Sequence, residues 1–99
     1  MINLSPDDMV LYMHIDEALF YKWDPIGISD DLIARTEYQS YTPQVFLMVK
    51  RFISAKKIAE HLTMIEKERM RLDISHFTKN KNLKLATELL EFHAKSIKK

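Results

Sequence analysis

Apolar residues recur at helical spacing in four stretches of this 99-residue chain, and no stretch reads as a strand. Ser5-Pro6-Asp7-Asp8 opens the first with a hydroxyl cap, a proline whose missing N–H costs nothing there, and two acids at the positive end of the helix dipole. This predicts a helix from about Pro6 to Lys22. Met9, Tyr12, Met13, Leu19, Phe20 and Trp23 form its main apolar stripe, widened by Leu11, Ile15 and Ala18. Asp24-Pro25-Ile26-Gly27 ends it, because a proline disfavours helical geometry at the preceding residue and Gly27, the only glycine, takes positive φ without strain. A connection then runs to about Tyr41, long enough to serve as a plug, a short helical turn or a functional surface.

Thr42-Pro43 repeats the cap-plus-proline signal and predicts a second helix to about Ile53, carrying Val45, Met48, Val49 and Phe52. Ser54 caps a third to about Arg71, with Ile58, Leu62, Ile65 and Arg69 on one line and Ala59 beside it. Residues 73–81 are polar and without a period, with Ile74 and Phe77 as apolar pins. A fourth helix is expected from Asn80 or Asn82. Leu83, Ala86, Leu89, Leu90, His93 and Ile97 mark its face, Lys95, Lys98 and Lys99 lie near its negative dipole end, and its last turn frays. The expected fold is therefore all-α, a compact bundle of about four helices with a long loop between helices 1 and 2, forming one domain over residues 1–99.

With 46% apolar and 29% charged residues, the chain has the composition of an ordinary globular protein and not of a disordered one. Having no cysteine, it forms no disulfide, thiolate nucleophile or cysteine-ligated metal site, and a reducing, cytoplasmic location is expected. Val45-Phe46-Leu47-Met48-Val49 is far shorter than the ~18 apolar residues of a membrane span, so no membrane association is expected. Asp7 and Asp8 near the start do not fit a secretory signal.

The formal charge of +1 conceals a division. Residues 1–47 hold eight acids against Lys22 and Arg35, a charge of −6, whereas residues 48–99 hold thirteen bases against six acids, a charge of +7. An acidic surface steers basic partners toward it.

The spacings of His14, His61, His76 and His93 match no His-x-x-x-His or Glu-x-x-His ligand pattern, so neither a metal nor another cofactor is expected. His93 reads as a satisfied core or boundary residue. Asp24, Asp30, Asp31 and Glu37 lie close together in sequence, yet aspartates favour turns and helix starts for backbone reasons alone. One glycine rules out phosphate-cradling loops and dinucleotide fingerprints, so no catalytic residue is assigned and the chain reads as a non-enzyme. Lys50, Arg51, Lys56, Lys57, Lys67, Arg69 and Arg71 support an alternative, a small nucleic-acid-binding regulator using residues 50–71. Against it stand Glu60, Glu66 and Glu68, interleaved as in ordinary i, i+3 and i, i+4 pairs, and a pI near 8.0. The first half concentrates aromatics beside its acids. Asp16, Glu17, Asp30, Asp31, Glu37, Tyr38 and Tyr41 are accordingly the candidate partner-binding residues, suited to a basic protein.

Tyr21-Lys22-Trp23-Asp24-Pro25-Ile26-Gly27-Ile28, followed by Arg35-Thr36-Glu37-Tyr38-Gln39-Ser40-Tyr41, resembles a group of small bacterial proteins that read WDPIG, a short spacer, then DEY or a variant. The resemblance covers mainly residues 15–70, including Ile58-Ala59-Glu60-His61-Leu62, and Thr36 stands where the group commonly has Asp. It implies a short, mostly helical protein. Some members look like immunity proteins encoded beside contact-dependent or polymorphic toxins, which implies a cognate toxin partner, such as a basic nuclease domain whose active site is masked. Residue chemistry gives Trp23, Asp24, Pro25 and Gly27 a structural role: the indole anchors the helix end, Pro25 and Gly27 set the turn, Ile26 and Ile28 pin the loop, and Tyr38 closes over the corner.

Overall fold

The computed structural model describes residues 4–24 and 35–97, and within them the chain is all-α. Five helices follow one another: α1 (Pro6–Ala18) continuing into a π-helical turn (Leu19–Trp23), α2 (Arg35–Gln39), α3 (Thr42–Lys50), α4 (Ala55–Met64) continuing into a second π-helical turn (Ile65–Arg69), and α5 (His76–Ile97). The chain divides into two units, one up to Leu47 and one from Met48 onward. The boundary coincides with the change of charge sign seen in the sequence.

In the first unit, α1 starts as its sequence predicts. Ser5 Oγ accepts from the Asp8 N–H at 3.1 Å, and Asp7 and Asp8 occupy the first turn. The widening line, Leu11, Ile15 and Ala18, is inside together with Leu19 of the expected main stripe, while Tyr12 of that stripe is half-buried and its Met9 and Met13 point outward. Beyond Ala18 the backbone widens, and the Asp24 N–H reaches back five residues to the Leu19 carbonyl at 3.1 Å. This wider turn carries Phe20 and Trp23 into the core. The connection expected to run to about Tyr41 contains α2, the short helical turn that was one of its expected forms, which packs against the π turn through Tyr38. Pro25, Ile26, Gly27, Ile28, Asp30 and Asp31 lie outside the described residues. At the head of α3, the Thr42 hydroxyl donates to Asp16 Oδ1 at 3.1 Å and so ties α3 to α1.

The second unit is built on α4 packed along α5. Ser54 caps α4 by accepting the Lys57 N–H at 3.2 Å, and Ile58, Ala59, Leu62 and Ile65 are buried as their spacing requires. The preceding helix, α3, stops at Lys50 and not at Ile53. Phe52 adopts a left-handed φ of 54°, its N–H bonding the Val49 carbonyl while the Ile53 N–H bonds that of Met48. Phe52 is thus half exposed rather than a helix-face residue, and its ring stacks on His93 at 4.7 Å. Arg71 repeats the device with φ of 55°, the Leu72 N–H closing on the Glu66 carbonyl at 2.9 Å.

α5 begins at His76, earlier than the expected Asn80 or Asn82. Ser75 is the cap: its Oγ accepts the Thr78 N–H at 3.2 Å. Because this turn is helical, Phe77 is 76% exposed and pins nothing. The buried face of α5 is Asn82, Leu85, Ala86, Leu89 and His93; Leu83 and Ile97 are outside.

Candidate functional site

The aromatic group of the first unit is mostly core. Trp23 lies 5.6 Å from Tyr38 and meets Tyr41 edge-on at 5.9 Å, while Phe20 meets Tyr38 edge-on at 6.4 Å. Tyr38 is 1% exposed, so its expected role as a surface anchor is corrected: the ring fills the corner. Its hydroxyl donates to Asp24 Oδ1 at 2.8 Å, which gives a buried phenol an acceptor and holds Asp24 at a left-handed φ of 28°. Tyr41 is half-buried, its hydroxyl donating to Glu37 Oε1 at 3.1 Å, and Ser40 Oγ bonds the Glu37 carbonyl at 2.7 Å. Trp23, Asp24 and Tyr38 thus form one rigid corner.

Among the acids expected to bind a partner, Asp16 accepts from Thr42, and Glu17 and Glu37 are exposed. Burial and the Asp16 carboxylate together raise the Tyr12 phenol above its usual range. Sequence reasoning missed the outward face of α1. Met9, Val10, Met13 and Tyr21 are 50–61% exposed, and helical spacing puts them on one arc with Glu17. The missed signal was present: two apolar lines on one helix compete for a single core, and the losing one faces water. His14, Glu17, Tyr21 and Lys22 also line a shallow depression of about 130 Å³ on this arc.

The second unit carries the basic residues. Lys50, Arg51, Lys56, Lys57, Lys67, Arg69 and Arg71 are all exposed. Glu66, expected among the surface ion pairs, is instead buried against α5, where Asn82 Nδ2 donates to its Oε2 at 2.6 Å and to Thr63 Oγ1 at 3.0 Å. Asn82 Oδ1 and His93 Nδ1 are buried without a hydrogen-bond partner, so the expectation of a satisfied His93 is corrected: its ring is held by stacking on Phe52. Burial, and then the Arg69 guanidinium, lower the His61 imidazole below its usual 6.5.

Above this polar cluster lies an open groove between α4 and α5, about 520 Å³, with Ala59, Met64 and Leu83 as its apolar part and Lys56, Glu60, Thr63, Lys67, Glu68, Lys79 and Asn80 around them. A second cleft of about 750 Å³ shares Thr63, Lys67 and Lys79 and adds Arg71, Leu72, Asp73 and Ile74. Among the described residues, no three His, Asp or Glu side chains gather as a metal ion requires, and no helix is long and apolar enough to cross a membrane. Comparison with known protein families, curated proteins and solved structures finds no match to the chain.

Proposed function

We propose that this chain is a non-catalytic binding protein that recognises a basic protein partner through the outward face of α1, and that the partner is a bacterial toxin which it neutralises by masking. The observation carrying the reading is that Met9, Val10, Met13 and Tyr21 are exposed together with Glu17 on a helix whose opposite face is buried. Large apolar side chains ringed by charge, on a rigid support, are what partner-binding hot spots require. The charge of −6 over residues 1–47 favours a basic partner such as a nuclease domain, and cytoplasmic action goes with an immunity role. The resemblance carried by Trp23-Asp24-Pro25-Ile26-Gly27 supplies the toxin part of the reading.

The test is to read the neighbouring genes for a secreted protein with a toxic C-terminal domain, then to co-express the chain with that domain and titrate it by calorimetry; a neighbourhood without one sinks the toxin part of the reading. Growth rescue is expected, with affinity falling steeply as salt rises and by about tenfold or more in Met13→Lys and Glu17→Lys. No rescue, or an affinity indifferent to salt and to both substitutions, sinks the reading. The nucleic-acid alternative has one observation in its favour, the exposure of all seven basic residues from Lys50 to Arg71. Salt-sensitive binding of duplex DNA or RNA in a fluorescence titration would decide for it.

A further inference from the structure

The two units each leave an apolar feature uncovered. The second unit has the α4–α5 groove, with Ala59, Met64 and Leu83 as its apolar part and Lys56, Lys67 and Lys79 against Glu60 and Glu68 along its edges, three bases to two acids. A groove between two packed helices is a seat for a third, amphipathic helix, and the excess of bases at its edges, on a unit of charge +7, favours an acidic one. The first unit carries a helix of that description. α1 and its π turn present Met9, Val10, Met13 and Tyr21 to solvent, and they hold Asp7, Asp8, Asp16 and Glu17 against the single base Lys22.

The dimensions agree: Met9 to Tyr21 covers about 18 Å of helix and Lys56 to Lys67 about 16 Å, at the ordinary rise per residue. The charges also agree, with −6 on the unit supplying the helix and +7 on the unit supplying the groove. We infer that copies of this chain associate head to tail, the outward face of α1 on one copy seated in the α4–α5 groove of the next. A single kind of contact then covers both features. It is heterologous, since the two surfaces joined are different. The inference stands apart from the toxin reading, because it requires no second protein.

Light scattering on the full chain during size-exclusion chromatography tests it. Species heavier than the 11.7 kDa monomer are expected at low salt, returning to monomer at about 0.5 M salt, where charge attraction is screened. Met13→Glu and Leu83→Glu alter exposed positions on the helix and the groove, and each alone is expected to be monomeric with an unchanged circular-dichroism spectrum. Mixed in equal amounts, they are expected to form a pair of two chains and stop there. One retains the groove, the other retains the helix, and neither can extend the chain. Should either variant misfold, Glu17→Lys and Lys67→Glu replace them with the same expected pattern.

A wild type that stays monomeric at low salt overturns the inference, as does a mixture that fails to pair. Association lost in Met13→Glu but kept in Leu83→Glu would mean that α1 pairs with α1, which also overturns it. Leu83→Glu leaves the α1 face intact and should still bind a toxin, so failure of self-association is distinguishable from failure of the toxin reading.

Discussion

Tyr38 shows how one side chain serves packing and backbone geometry together. Its ring is buried against Trp23 and Phe20, and its hydroxyl is spent on Asp24, whose φ of 28° is strained for a residue with a side chain. Tyr38→Phe keeps the ring and deletes the bond. It is expected to lower stability by about 1–2 kcal/mol, read as a shifted urea midpoint with unchanged slope. Arg71 tests the opposite sign. It is exposed and held at φ of 55°, so Arg71→Gly should relieve left-handed strain and raise stability by about 0.5–1 kcal/mol in the same assay. Neither site was fully legible from residue type. The aromatic corner was legible in part: Trp23 as the anchor of the helix end and Tyr38 closing over it could be read from residue type, but the acids beside Tyr38 equally suggested a surface anchor, which its burial excludes. The left-handed positions were not, since glycine is their usual marker and the only glycine stands at position 27. The same limit hid the Glu66–Asn82 contact, because two polar side chains sixteen residues apart give no periodic signal.

Element boundaries were legible wherever a hydroxyl cap preceded an apolar period, as at Ser5 and Ser54. Ser75 escaped notice because the residues after it are polar or aromatic without a period, although its cap opens the 22-residue α5. Ser75→Ala is expected to cost about 1 kcal/mol and to speed amide exchange at Phe77 and Thr78, measurable by NMR. On α4, His61 is held below its ordinary 6.5, so the unfolded chain takes up a proton before the folded one does. This contribution is intact above about pH 6.5 and is lost as pH falls below that value. An NMR titration should place the His61 midpoint below 6.5 and move it upward in Arg69→Gln, which removes the repelling charge. Which apolar line of α1 faced inward was not legible either, since both have helical spacing and only the tertiary partners choose between them.

At the scale of the molecule, the change of charge sign was plain in the sequence, and the structural division falls at the same place, between Leu47 and Met48. What remained hidden was that each unit leaves apolar surface uncovered, because that depends on which residues the helices leave outside. One face of α1 is proposed both as the seat of a basic protein and as the contact with a second copy, and two occupants of one face exclude each other. Adding the toxic domain to self-associated protein is therefore expected to dissolve the larger species into one-to-one complexes, seen as a fall in scattering mass. The π-helical turns at Leu19–Trp23 and Ile65–Arg69 carry a further consequence. Each is in effect one residue inserted into an α-helix, and the chain beyond it has settled into the resulting phase. Loss of a single codon within Leu19–Trp23 would let the turn close as ordinary α-helix with its phase nearly kept, whereas gain of one would swing the residues after it by about 100° around the helix. These two short spans should tolerate the loss of one residue far better than the gain of one.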